Sequence, residues 1–278
     1  MKKRRLRSKD ERCRSVSEFI TAVRDFSEAK NLQQHAQNVL VFFRGHTDCN
    51  WECRPTIARE PYTETAVYTY KDSGPSDEAE WVLFSRFRDM SVSLEPAGIA
   101  SVGEVEANWR RLVLAQHHGL PTRLLDWTTR SLVALYFAVR DRDQNAPSNP
   151  DSAVVAISKR RSEVISVRTL ANNNQHPPSY VFSQHDKTHF GAFWAPDVHP
   201  RMTSQGSVFS IRGNPFDPIE PERTFLIPKA DRGQIRRELY DLGIHEGSIF
   251  PDLDAICRSL REESCTWGAD FGISASSS

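Results

Sequence analysis

Residues 116–129 read Gln-His-His-Gly-Leu-Pro-Thr-Arg-Leu-Leu-Asp-Trp-Thr-Thr, the densest cluster of polar, aromatic and charged side chains in the chain. Apolar helical patterns flank it on both sides. A segment tethered at both ends to a core cannot hold Arg123, Asp126, His117 and His118 all in bulk water. Burying such groups without partners costs several kcal/mol. Two arrangements satisfy them: an Arg123–Asp126 ion pair that orders a loop, or a polar pocket wall. Thr128, Thr129 and Ser131 stand where the second helix begins, so their hydroxyls are placed to cap it. The same helix start offers free N–H groups and a positive dipole end, which suit a phosphate or a ribose hydroxyl.

Arg44 is the other residue positioned for chemistry. It follows an apolar, aromatic run, Asn38-Val-Leu-Val-Phe-Phe43, and precedes Gly45, which lets the chain turn. An arginine at a strand end clamps a phosphate or carboxylate in some sites and makes a structural salt bridge in others. Metal spacing is weak. His46, Cys49 and Cys53 lie close together, as do His185, His189 and His199, but neither set has the paired spacing of a zinc site. No metal is expected. Phosphate-binding glycine loops and Gly-x-Ser-x-Gly elbows are missing, which excludes the hydrolases built on them.

The elements that must position these residues follow from periodicity. Ser15-Val-Ser-Glu18 reads as a capping box opening a helix, with Phe19, Ile20, Val23 and Phe26 on its inner face. Residues 38–43 read as a buried strand. Helical patterns cover 77–90, with Trp81, Phe84 and Phe87 on one stripe, and 104–116, with Val105, Trp109, Leu112 and Val113 inside. Residues 132–139 are apolar all round, as in a helix buried in the core. Strands are expected at 153–157, 207–211 and 224–227, and helices at 234–242, stopped by Gly243, and at 253–260. Ser166–Pro200 lacks periodicity and reads as a long loop. Strands and helices do not alternate, so the fold class is α+β: a single domain with a mixed or antiparallel sheet flanked by helices.

Composition bounds the rest. The 278 residues are 38% apolar and 26% charged, a globular balance for one domain. Lys plus Arg and Asp plus Glu are each 36, so the formal net charge is zero, unlike the basic excess of a general nucleic-acid binder. The basic start, Met1–Lys9, reads as a solvated tail or as a tether for nucleic acid or an acidic partner. It is not followed by an apolar stretch, so no secretory signal is expected, and no apolar run is long enough to span a membrane. Five scattered cysteines fit reduced thiols in the cytoplasm. The expected organisation is a basic flexible tail over 1–14, one domain over 15–265 and a flexible tail over 266–278.

Phe43-Arg44-Gly45, Trp51-x-x-Arg54-Pro-Thr-x-x-Arg59, the 116–128 stretch with Ala134-Leu-Tyr-Phe-Ala138, Arg201-Met-Thr-Ser-Gln-Gly206 and Ser248-Ile-Phe-Pro-Asp-Leu253 together resemble the FRG-domain family over roughly residues 15–260. That family occurs largely in bacteria and their phages and is linked to defence settings, so the resemblance implies an antiphage role. A second resemblance is to ADP-ribosyltransferases of the arginine–serine–glutamate class. These place an Arg on the first strand, a Ser-Thr-Ser-like segment before an Ala-x-x-Phe-Ala helix, and a Glu on a later strand. It implies an ADP-ribosyltransferase-like fold with NAD as substrate. Arg44 would then hold the pyrophosphate and Thr128 or Thr129 the nicotinamide ribose. His117 would bond a ribose hydroxyl or relay a proton, and Arg123 and Asp126 would line the pocket. Gln205 stands where the Glu is expected, and an amide can neither act as base nor offset positive charge. Either another acid (Glu220 and Glu222 are near in sequence) completes an NAD-cleaving or transferase site, or the pocket is a non-catalytic sensor of a nucleotide, a protein or a phage component.

Overall fold

Val39–His46 (β2) turns Val41 and Phe43 to one side and Leu40 and Phe42 to the other, and both sides pack into apolar clusters. The strand is the centre of the sheet. The computed structural model describes residues 10–33, 38–60, 62, 69–70, 74–75, 77–140, 150–177, 190–197, 200–250 and 252–266. Met1–Lys9, with its expected nucleic-acid tether, and the end of the chain after 266 lie outside the described residues, as do His185, His189 and His199.

In chain order the strands are β1 (Asp10–Arg12), β2, β3 (Thr69–Tyr70), β4 (Gly74–Pro75), β5 (Leu124–Thr128), β6 (Ser152–Arg160), β7 (Val164–Ile165), β8 (Phe190–Trp194), β9 (Ser207–Arg212) and β10 (Arg223–Ile227). The helices are α1 (Val16–Gln33), α2 (Asp77–Ser91), α3 (Ala97–Ala100), α4 (Glu104–His117), α5 (Ser131–Val139), α6 (Val167–Asn172), α7 (Pro200–Gln205), α8 (Arg232–Asp241), α9 (Glu246–Ile249) and α10 (Leu253–Thr266). Eight strands form one sheet in the order β1, β10, β6, β2, β5, β9, β8, β7, while β3 and β4 pair separately. β1 runs parallel to β10 and β7 to β8, and the other neighbours are antiparallel. The domain is α+β with an open mixed sheet flanked by helices.

Three apolar clusters bind the layers. α1, α5 and α8 cover β10, β6 and β2, where the Phe19 and Phe225 rings meet edge-on at 5.4 Å. α4 and α6 cover β8 and β9, with Trp109 against Phe193 at 5.1 Å. The opposite face gathers Phe42, Leu125, Trp127, Val155 and Val208. Full burial of side chains of this size contributes roughly 1.5–3 kcal/mol each. α5 is buried nearly all round, as its sequence predicts. Gly243 ends α8 in the left-handed conformation that favours glycine, at a φ of 74°. Its N–H donates to the Tyr240 carbonyl, and Ile244 N–H donates to that of Leu239.

Several expectations are corrected. β2 does not stop at Phe43. Its ladder with β6 continues through Arg44↔Val155 and Gly45↔Val154, so both residues lie within the strand. Gly45 makes no turn. A Cβ there would lie 2.1 Å from the Ala134 carbonyl oxygen and 2.6 Å from the Ala138 nitrogen, so only glycine lets α5 approach β2 this closely. Residues 124–128 form a strand, not a polar connection, because alternate residues serve the two faces of the sheet. The expected loop over 166–200 contains α6 and β8. The tail expected over 1–14 becomes an edge strand at Asp10, and Cys13 is buried in the core. Burial, then the charges of Glu11 and Glu18, push the Cys13 thiol up to about 12. Ile20 is 45% exposed and is not part of the inner face of α1.

Candidate functional site

β2 and β5 are registered at one pair, Phe43↔Thr128. Beyond it they diverge, and the backbone groups that a longer ladder would satisfy need other partners. Arg44 supplies one: its Nη1 donates to the Asp126 carbonyl at 2.7 Å and lies 3.5 Å from Asp126 Oδ2. The Arg44 side chain is 18% exposed, and its buried Nε has no hydrogen-bond partner among the described residues. The split in the sheet is thus wedged open by a guanidinium that keeps donor capacity in reserve.

A cleft of about 330 Å³ opens at this split. Arg44, Asp126, Thr128 and Gln205, four of the residues that the sequence singles out, line it together. Asp126 is half exposed, and Gln116 Nε2 donates to its Oδ1 at 3.2 Å. Thr128 Oγ donates to the Gln205 carbonyl at 2.5 Å and accepts from Arg130 N–H at 2.9 Å, so it ties β5 to the end of α7. The N-cap position of α5 is Arg130, which makes no side-chain cap; Thr128 holds the turn before it.

Trp51, Arg59 and Arg140 also line the cleft and were not foreseen as site residues. Arg59 Nε and Nη2 donate to the Arg54 carbonyl at 2.9 and 2.5 Å, which fixes the guanidinium at the cleft. Burial, then the charge of Arg44, holds the Arg59 pKa below the ordinary value, with Asp126 opposing. Arg44 and Arg59 therefore repel each other at the cleft, and Asp126 partly offsets that repulsion. Arg140 closes α5; its Nη2 donates to Glu246 Oε1 at 3.0 Å, and its guanidinium lies over the Phe250 ring. Arg59 was visible in the sequence as the end of the Trp51-x-x-Arg54-Pro-Thr-x-x-Arg59 pattern. Arg140 carried no signal, because what brings it to the cleft is the length of α5.

The remaining residues from the sequence lie elsewhere. Arg123 does not pair with Asp126. It is 2% exposed and is bound by Glu80 of α2, with Nε and Nη2 each 2.6 Å from Oε2, while its Nη1 donates to the Gly213 carbonyl. The strand geometry is the reason: Arg123 lies just before β5 and turns toward α2, while Asp126 faces the split. Thr129 bonds the Gly206 carbonyl and does not line the cleft. His117 ends α4 with its ring 5.2 Å from that of His118, also outside the cleft wall. Neither Glu220 nor Glu222 supplies an acid there. Glu222 binds Ser158 and Lys30 at the junction of β6 and β10. Burial alone would raise its pKa, but those bonds outweigh it and hold the carboxyl below its usual range. A hollow of about 20 Å³ lies beneath α2. It is large enough only for a water. Among the described residues no group of His, Cys, Asp and Glu is arranged to hold a metal ion, and no helix is long and apolar enough to cross a membrane.

Residues 39–146 match the FRG domain. The chain carries an FRG domain. No curated protein and no solved structure matches the chain. The FRG match begins with β2 and passes α5, so it contains the whole arginine-bearing wall, while Gln205 and Ser207 reach the cleft from beyond it. The three letters of the FRG motif acquire separate physical roles here. Phe43 makes the one β2–β5 pair and is buried, Arg44 wedges the split, and Gly45 admits α5.

Proposed function

We propose that the cleft binds NAD or a closely related nucleotide through its pyrophosphate, and that it cleaves the nicotinamide–ribose bond. The observation that carries this reading is the charge of the wall: the guanidiniums of Arg44 and Arg59 share one carboxylate, Asp126, and Arg140, paired with Glu246, stands beside them. Planar guanidiniums bind phosphate oxygens through paired, charge-assisted hydrogen bonds, and an anion among them relieves the mutual repulsion of Arg44 and Arg59. Thr128 and Gln205 stand beside Asp126, where a ribose would offer hydroxyls.

Asp126 takes the part that the resemblance to ADP-ribosyltransferases gives to a Glu. As the C1′–N bond of nicotinamide breaks, its electron pair leaves with the nicotinamide and positive charge develops on the ribose. A carboxylate stabilises that charge. Water then adds at C1′, and its proton passes to Asp126, giving ADP-ribose and free nicotinamide. A cytoplasmic nucleotide-cleaving protein fits the antiphage setting that the family resemblance implies. A second reading, a sensor that binds without turnover, is favoured by Gln205 in the expected acid position and by the bonds that occupy Asp126.

The test is incubation of the purified protein with NAD followed by chromatography. Nicotinamide is expected to appear, and Asp126→Asn is expected to abolish its release while NAD still binds. Binding without release by the native protein would favour the sensor, and release undiminished in Asp126→Asn would exclude Asp126 as the acid.

A further inference from the structure

A second hollow, of about 780 Å³, adjoins the arginine cleft and shares Trp51 and Arg59 with it as a common wall. Its charge differs from that of its neighbour. Arg54 and Arg59 are balanced there by Glu52 and Glu60, and Arg54 Nε already lies 2.5 Å from Glu52 Oε2. A neutral ligand group is therefore favoured in the outer hollow, whereas the inner one favours an anion. The outer hollow also carries aromatic surface: Phe216 lines it, and Trp51, packed at 6.1 Å from the buried His46 ring, leaves 53% of its surface exposed. A large aromatic half in solvent at the junction of two hollows is not a core residue. Its free face is a stacking surface.

We infer that the outer hollow is a purine subsite, in which the adenine of a dinucleotide stacks on Trp51 while its pyrophosphate lies among Arg44, Arg59 and Arg140. This rests on the nucleotide reading of the inner cleft and deepens it. The nicotinamide ribose would meet Asp126, Thr128 and Gln205, so the heterocycle left for Trp51 is the adenine. Glu52 and Glu60 can accept from its exocyclic amine, and Arg59, on the shared wall, spans the passage from base to phosphate. The ligand class is thus a purine dinucleotide.

The experiment is titration calorimetry of the native protein, Trp51→Ala and Trp51→Phe with NAD, ADP, nicotinamide mononucleotide and inorganic pyrophosphate. Stacking of a base on an aromatic ring is lost on truncation to alanine. Trp51→Ala is expected to weaken NAD and ADP about tenfold, to leave nicotinamide mononucleotide and pyrophosphate unchanged, and to be largely rescued by Trp51→Phe. NAD affinity unchanged in Trp51→Ala, or all four ligands weakened equally, would overturn the purine subsite and leave the arginine cleft standing. Failure of the native protein to bind any of the four would overturn the nucleotide reading and this subsite together.

Discussion

Gly45→Ala is expected to destabilise the protein by about 3 kcal/mol or more, at the upper end of the cost of overpacking a core. The added methyl would sit 2.1 Å from one backbone atom of α5 and 2.6 Å from another. Neither contact can be relieved by turning a side chain. Either α5 moves off β2, or the β2–β6 ladder bends, and both loosen the cluster that holds α1, α5 and α8 to the sheet. Urea denaturation reads the effect as a lower midpoint at unchanged slope. Gly233→Ala is the control: it lies in α8 with nothing within 4 Å of its added Cβ, and alanine there should raise stability by about 0.5–1 kcal/mol through helix propensity. If Gly45→Ala melts like the native protein, the close approach of α5 is not what requires glycine in the FRG motif.

Glu80→Ala is expected to cost about 3–5 kcal/mol, as removing one partner of a buried ion pair usually does. The Arg123 guanidinium would stay 2% exposed without the carboxylate that neutralises it, and the Arg123 N–H would lose its bond to Glu80 Oε1. The double variant Glu80→Leu/Arg123→Met should recover most of the loss, because it removes both charges at once. A small effect of the single variant would mean that α2 is held to β5 by its apolar contacts and that Arg123 finds water. Arg123 is thereby separated from the chemistry: its removal should damage folding, and nucleotide affinity only through folding.

The sequence made some of this legible and hid the rest for physical reasons. The buried face of α1 was readable because Phe19 and Phe26 recur at helical spacing, and α5 because it is apolar all round. β5 was not, because its polar residues point into the split and break the run expected of a buried strand. The position of Arg44 was readable, but not the divergence of β2 from β5 that gives it a role, since register is a property of two strands. Asp126 and Arg123 are three residues apart and look like a pair, yet the turn into β5 sends them to different partners. Arg140 depended on how far α5 extends, and its arrival beside Phe43 and Arg44 is a matter of tertiary packing alone.

In the proposed nucleotide site, Arg44, with Arg59 and Arg140, holds the pyrophosphate. Titration calorimetry of NAD into the native protein and Arg44→Ala reads this contact, with the melting temperature of each protein measured alongside. The native protein is expected to bind NAD. Arg44→Ala is expected to weaken NAD about 100-fold, as the loss of a partly buried charged partner does, at a melting temperature within a few degrees of native. Equal affinity in the two proteins would rule out the pyrophosphate contact, and so would a collapse of the fold in Arg44→Ala that makes Arg44 a structural wedge and nothing more.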